Sequence, residues 1–251
     1  MNDAKSSRGF RPLFLSLSII AVVGVAAPPC SGQSSVTIPE REESVRPGIN
    51  ERFLDPNLDP SEWLGRFETE SREIYQARQA IVKAVNLKQG DRIADIGAGT
   101  GLFTLLFADQ VGPRGWVFAV EISPRFVERI DKLATEQGFA NITPLLGAKD
   151  VVRLPPESIN VVFVCDTYHH FEYPRTILPS IKRALRPGGR FVVVDFERIE
   201  GVSRQWVLDH LRAGKSVFRK EIEDAGFEFI GETKVEGLEE NYFIAFRKAD
   251  D

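Results

Sequence analysis

The stretch Ile93-Ala94-Asp95-Ile96-Gly97-Ala98-Gly99-Thr100-Gly101-Leu102-Phe103 constrains this chain more than any other. An apolar run ends near an acid, three glycines follow at alternate positions, and an apolar, helix-forming segment begins. That pattern predicts a strand, a tight turn and a helix start. Glycines lack the Cβ that would hold a ligand off the backbone, and they permit the dihedrals a tight turn needs. The first N–H groups of the helix are free to meet polar ligand atoms.

The segments that follow repeat the unit. Asp91–Ile96 reads as a buried strand and Leu102–Gln110 as a helix, then Trp116–Glu121 as a second strand and Pro124–Gln137 as a second helix. A βαβα succession predicts an α/β fold with a doubly wound, mostly parallel sheet. Asn141–Leu146 is a third strand, whose Pro144 suits a sheet edge. Ser158–Asp166 is a near-continuous apolar run, as a central parallel strand should be. A helix over Pro174–Leu185, a strand over Arg190–Phe196, helices over Arg204–Leu211 and Ser216–Ala225, and strands over Phe227–Ile230 and Tyr242–Phe246 complete the reading. Ligands of such sheets gather beyond the carboxyl ends of the strands, which brings Asp166 through His170 to the site.

Glu121 ends the second strand twenty residues after Gly101. A carboxylate there can accept hydrogen bonds from both ribose hydroxyls, a device that dinucleotide folds share. The glycine spacing separates the two. Dinucleotide sites use Gly-x-Gly-x-x-Gly and reserve the helix start for a pyrophosphate. Here the spacing is Gly97-x-Gly99-x-Gly101 with Asp95 before it. An acid aimed into the turn repels pyrophosphate and attracts an ammonium or sulfonium group. The Tyr-x-x-x-Lys pair of short-chain oxidoreductases is missing.

On Asp95 to Gly101, and on the turn Arg186-Pro187-Gly188-Gly189-Arg190 before a strand, the chain resembles the class I S-adenosylmethionine-dependent methyltransferases, in the type 11 or ubiquinone/menaquinone-biosynthesis branch. The resemblance covers roughly residues 74–248. It implies a Rossmann-like sheet of seven strands with an antiparallel last strand, and S-adenosyl-L-methionine as cofactor. It implies that Asp95 and the backbone of Gly97, Ala98, Gly99 and Gly101 hold the methionine part, that Glu121 holds the ribose, and that Ile122 packs on the adenine. The acid that usually meets the adenine amino group is Ala148 here, with Lys149 beside it, so Asp150 or backbone groups take that contact. Asp166 joins the cofactor set. The implied activity is methyl transfer to a small-molecule acceptor; the alternative is a methyltransferase fold serving as a binding or assembly module at the cell envelope.

The candidate catalytic residues are His169, His170 and Asp166. A neutral imidazole can take a proton from the group being methylated. Adjacent residues diverge, so one ring of the pair is expected to face the site. No metal is assigned, because three ligands would be needed; Asp166, Asp195 and Glu197 at one sheet edge read as ion ligands, pocket polar groups or ion-pair partners. His210, Arg212 and Lys215 form a positive cluster that suits an anionic acceptor or a solvated face.

The front of the chain differs. Lys5, Arg8 and Arg11 against Asp3 give the first thirty residues +2, which leaves −6 for the rest of a chain of net −4. The acidic body argues against nucleic acid as a partner. The apolar run 13–27 behind those basic residues predicts a signal peptide or membrane anchor over 1–30. That leader implies export or membrane association, whereas the methyl donor is made in the cytosol. Residues 31–50 are polar, charge-mixed and proline-bearing, and read as a disordered linker. Residues 51–90 read as a helical lid, with Asp59 capping a helix and Phe53, Trp63 or Phe67 shielding the ligand, and residues 91–251 as the cofactor-binding domain. Cys30 and Cys165 are two isolated thiols, which excludes a disulfide framework.

Overall fold

A computed structural model describes residues 42–70 and 72–249, with side chains left aside at 68–70 and 72. A short 3₁₀ turn, Glu51–Phe53, leads into helices α1 (Pro60–Glu70) and α2 (Arg72–Val85). The sheet and its helices follow as β1 (Arg92–Ile96), α3 (Leu102–Val111), β2 (Trp116–Glu121), α4 (Pro124–Glu136), β3 (Ile142–Leu146) and β4 (Ile159–Cys165). A second 3₁₀ turn, Tyr168–His170, precedes α5 (Pro174–Ala184), β5 (Leu185–Phe196), α6 (Gln205–His210), α7 (Lys215–Asp224), β6 (Phe227–Glu232) and β7 (Asn241–Lys248).

The strands form one seven-stranded sheet in the order β3-β2-β1-β4-β5-β7-β6. The first five are mutually parallel, and β7 runs antiparallel between β5 and β6. The expected Rossmann-like sheet with its reversed last strand is the one observed. β3 lies at the edge, where Pro144 costs no ladder bond on its outer side.

Alternation along the strands divides the core. Ile93, Val161, Phe163, Val192 and Val194 face one side, where α2 and α3 cover them. Ala94, Ile96, Val162, Val164, Phe191 and Val193 face the other, under α5 and α7. Both faces are apolar because a parallel sheet is covered on both sides. Ile81 and Val85 of α2 are fully buried against this core, so most of α2 is a layer of the sheet domain, while its first turn, with Ile74 and Tyr75, joins the 3₁₀ turn and α1 at the ligand cavity. Asp59 caps α1 as expected, its Oδ1 accepting from Ser61 N at 2.9 Å and Ser61 Oγ at 2.8 Å.

One reading is corrected. Within the stretch taken as a linker, residues 42–50 are packed on the domain: Glu42 accepts from Arg175 N and Thr176 Oγ1, Val45 N donates to Glu172 O, and Asn50 is buried. The Arg186–Arg190 turn stands as read, inside the span of β5: Leu185 pairs with Ile159 and Arg190 with Val161, so residues 186–189 loop out of the ladder, with Gly188 at φ +68°. The leader read over 1–30 lies outside the described residues; among the described residues no helix is long and apolar enough to cross a membrane.

Candidate active site

A cavity of about 400 Å³ opens at the carboxyl ends of β1, β2 and β4, within the roughly 300–1,000 Å³ of small-molecule sites. Its floor is the glycine turn. Gly97, Gly99 and Gly101 all have positive φ, at 72°, 52° and 90°. A Cβ on Gly97 would lie 2.3 Å from Thr167 Cγ2, so a bare backbone is what lets the turn approach the segment after β4. Gly101 then serves as N-cap of α3.

Two buried carboxylates hold this turn. Asp95, at 4 % exposure, accepts from Thr104 Oγ1 of α3 at 2.6 Å. Burial pushes its carboxyl up to about 7, aided by the neighbouring Glu121 charge and opposed by the Thr104 bond. Glu121 accepts from Gly99 N at 2.9 Å through Oε2, and from Ile122 N at 2.7 Å and Ser123 N at 3.0 Å through Oε1. Burial raises its carboxyl too, against those three N–H bonds. Oε2 keeps an acceptor position beyond the one Gly99 uses. Asp95 and Glu121 thus share the cavity with Ala98, Gly99, Gly101, Ile122, Ala148, Lys149 and Asp166. Asp166, at φ +46°, accepts from Asn241 Nδ2 at 2.8 Å.

Lys149 is neither a solvated charge nor a simple stand-in for the missing acid. Its Nζ lies 2.7 Å from Oε1 of Glu172, whose side chain is 3 % exposed. Asn50 Nδ2 at 3.0 Å and Ser44 Oγ at 3.0 Å donate to the same carboxylate. Burial raises the Glu172 carboxyl, but those three donors outweigh it and the net position is below the ordinary range.

The other end of the cavity carries histidine. The chain has three histidines in all, and His169, His170 and His210 all line this cavity. The tight 3₁₀ turn at Tyr168–His170 corrects the expectation that only one of the adjacent pair would face it. His169 Nδ1 lies 2.7 Å from Asp195 Oδ1, and Asp195 also accepts from His169 N and Phe196 N. His170 Nε2 lies 3.4 Å from His210 Nε2, while His170 Nδ1 is buried without a hydrogen-bond partner. His210 stacks on Trp206, centroids 4.8 Å apart. Burial, then the nearby charges of His169 and Arg52, holds His210 down to about 4; burial and its histidine neighbours hold His170 well below the ordinary imidazole range. Both rings are therefore neutral at pH 7.

Aromatic rings roof the space. Phe53 stands edge-on to His170 at 5.4 Å and packs with Trp63 and Phe126, and Phe67 packs on those same two rings. Phe53 and Phe67 reach the cavity; Trp63 stands behind them. Of the alternatives for Asp166, Asp195 and Glu197, the shared-ion one is set aside: Asp166 lines the cavity and accepts from Asn241, Asp195 holds His169, and Glu197 is an ion-pair partner of Lys215. Of the positive cluster only His210 lines the cavity, since Arg212 is held by both oxygens of Glu221 and Lys215 by Glu197 and Glu232.

Known proteins carry the same frame. The family model described as a methyltransferase domain matches residues 87–236, more than half of the chain. The chain belongs to the class I S-adenosylmethionine-dependent methyltransferases. Among curated methyltransferases it is 27 % identical over 128 residues to the ubiquinone/menaquinone biosynthesis C-methyltransferase of Methylococcus capsulatus, over 49 % of this chain and 50 % of that one. To the arsenite methyltransferase of Halobacterium salinarum it is 28 % identical over 106 residues, 42 % of this chain and 27 % of that one. The chain thus spans about half the length, or less, of these relatives. The structure of a methyltransferase from Aquifex aeolicus superposes with a TM-score of 0.67 at 20 % identity, over 77 % of this chain and all of that one, which shows a shared fold. S-adenosylmethionine is the cofactor of this methyltransferase family, and the cavity fits it: a side-chain-free turn, two carboxylates for a cationic amino acid and a sugar, and room for a nucleoside.

Proposed function

We propose that the protein transfers a methyl group from S-adenosylmethionine to a small acceptor with an apolar, aromatic body. The carrying observation is the polarity of this cavity, with acids and bare backbone at one end and histidines under an aromatic roof at the other. In this reading Asp95 meets the methionine ammonium, Glu121 Oε2 meets the ribose, and Ile122 packs on the adenine. The bound cofactor supplies an electrophilic methyl on a sulfonium. The chain contributes alignment, which can be worth up to ~7–11 kcal/mol of a bimolecular barrier. Phe53 and Phe67 keep water from the reacting atoms, and Phe196 and Trp206 offer faces to an aromatic acceptor. His169, fixed by Asp195, presents its remaining nitrogen to the acceptor end, where a proton must be moved from the atom that is methylated. Resemblance to a quinone-pathway C-methyltransferase agrees with a flat, ionisable acceptor.

The test is direct. Purified protein titrated with S-adenosylhomocysteine in a calorimeter should bind one equivalent, and incubation with methyl-labelled cofactor and a panel of phenols, quinols and thiols should label a product. Absence of cofactor binding at millimolar concentration would remove the proposal.

A further inference from the structure

We infer that His169, His170 and His210 together form a binding site for one divalent transition-metal ion, zinc by preference, at the acceptor end of the cavity. The ligand atoms offered by the three rings all lie within 4.8 Å of one another. The ring centroids make a near-equilateral triangle with sides of 4.4, 5.1 and 5.2 Å. Three imidazoles bound to one tetrahedral ion at Zn–N of about 2.0–2.1 Å would have nitrogens about 3.3 Å apart and centroids about 5 Å apart. The His170 Nε2 to His210 Nε2 separation is 3.4 Å. The remaining separations need closure of an ångström or so, within the reach of side-chain rotation.

Two features beyond proximity point to an ion. His169 has the support that metal-bound histidines use: Nδ1 against a buried carboxylate, with that carboxylate fixed by two backbone N–H groups. His170 has no oxygen partner at either nitrogen; one faces His210 and the other is buried and unsatisfied. Buried polar atoms ordinarily have a partner, and a metal ion would supply one here. Nonpolar packing alone gives no reason to collect every histidine of the chain at one point.

Among the described residues no cysteine or carboxylate joins the three. Three neutral ligands leave a fourth position toward the cavity, the arrangement of catalytic rather than structural zinc. Arg52 and Arg46 bring positive charge to these rings against the single negative charge of Asp195, so an anionic fourth ligand suits the site. This deepens the methyltransferase reading and rests on it in one respect, the role of the acceptor. With the ion bound, the second nitrogen of His169 is a ligand instead of a proton acceptor, and a thiol or hydroxyl acceptor would lose its proton to solvent and bind as the anion. Its lone pair would form the new bond to the methyl carbon, while the carbon–sulfur bond of the sulfonium breaks and its electron pair stays on sulfur.

The experiment uses the full chain without a polyhistidine tag, stripped with chelator and titrated with Co²⁺ and then Zn²⁺ against a chromophoric chelator. We expect one equivalent bound, the intense visible bands of four-coordinate cobalt, and their perturbation by a thiol acceptor analogue. His210→Ala should weaken binding at least 100-fold, and Asp195→Asn about 10–100-fold, with S-adenosylhomocysteine affinity unchanged in His210→Ala as proof of folding. No stoichiometric binding, weak six-coordinate bands, or equal binding by His210→Ala would each overturn the metal site. Cofactor binding and product labelling by the stripped protein would then leave the methyltransferase reading standing, whereas loss of cofactor binding with metal binding intact would remove that reading alone.

Discussion

Asp95 should make cofactor affinity depend on pH near neutrality. The carboxyl is buried, has one hydroxyl donor in Thr104, faces the Glu121 charge, and stands at about 7. If the methionine ammonium requires its charged form, affinity scales with the ionised fraction, about one-tenth at pH 6 and about nine-tenths at pH 8. The dissociation constant of S-adenosylhomocysteine, whose ammonium stays charged across this range, should fall about tenfold from pH 6 to pH 8. Near pH 7 binding should release roughly half a proton, read as a buffer-dependent calorimetric enthalpy. Asp95→Asn should bind more weakly and lose the slope. The free protein shows the opposite trend. Between the ordinary carboxyl value of 3.8 and about 7 the folded state holds a proton that the unfolded chain has lost. Asp95 therefore favours folding most at low pH, and its contribution declines by up to ~4 kcal/mol as pH rises through 7. A flat wild-type affinity over this range, or the same slope in Asp95→Asn, would refute the reasoning.

Gly97→Ala places a Cβ 2.3 Å from Thr167 at φ +72°, so unfolding by urea should show a loss of about 2–4 kcal/mol with unchanged slope. Lys149→Met takes one donor from the buried Glu172 and should destabilise by about 1–3 kcal/mol, with faster tryptic cleavage at Arg46 and Arg52. Because the Glu172 carboxyl lies below its ordinary 4.5, the stability it gives is present above that pH and fades as pH falls, so wild type and Lys149→Met should converge in acid melts. Phe67→Ala opens the roof above Gly99 and should weaken S-adenosylhomocysteine by about twofold to tenfold, the equivalent of its lost aromatic contacts.

The sheet was legible because its signals are local. Apolar runs such as Val161–Val164 announce buried strands, and Gly97, Gly99 and Gly101 announce a turn at any level of tertiary detail. The two acids were legible for the same reason, sitting at strand ends that the pattern places side by side. The histidine trio was not. His210 is forty residues beyond His170 and reaches it only through β5 and α6; in sequence it sits with Arg212 and Lys215 and looks like part of a cationic patch. Those two cations are spent on Glu221, Glu197 and Glu232, partners set by tertiary folding. Composition also misjudged residues 42–50. Polar side chains there reach Glu172 and the start of α5, so a stretch whose apolar residues are only Val45, Pro47 and Ile49 is fixed largely by hydrogen bonds.

Glu121 is a girder as well as a reading head. The oxygens that shape the loop through Gly99, Ile122 and Ser123 belong to the carboxylate that, in the proposed reading, meets the sugar. On that reading, retargeting the protein to a differently substituted nucleoside cannot be done by exchanging that one side chain, because the scaffold that presents the donor would sag with it. Variation has freer rein at the aromatic ceiling, so diversification of substrates within this architecture is steered toward the acceptor.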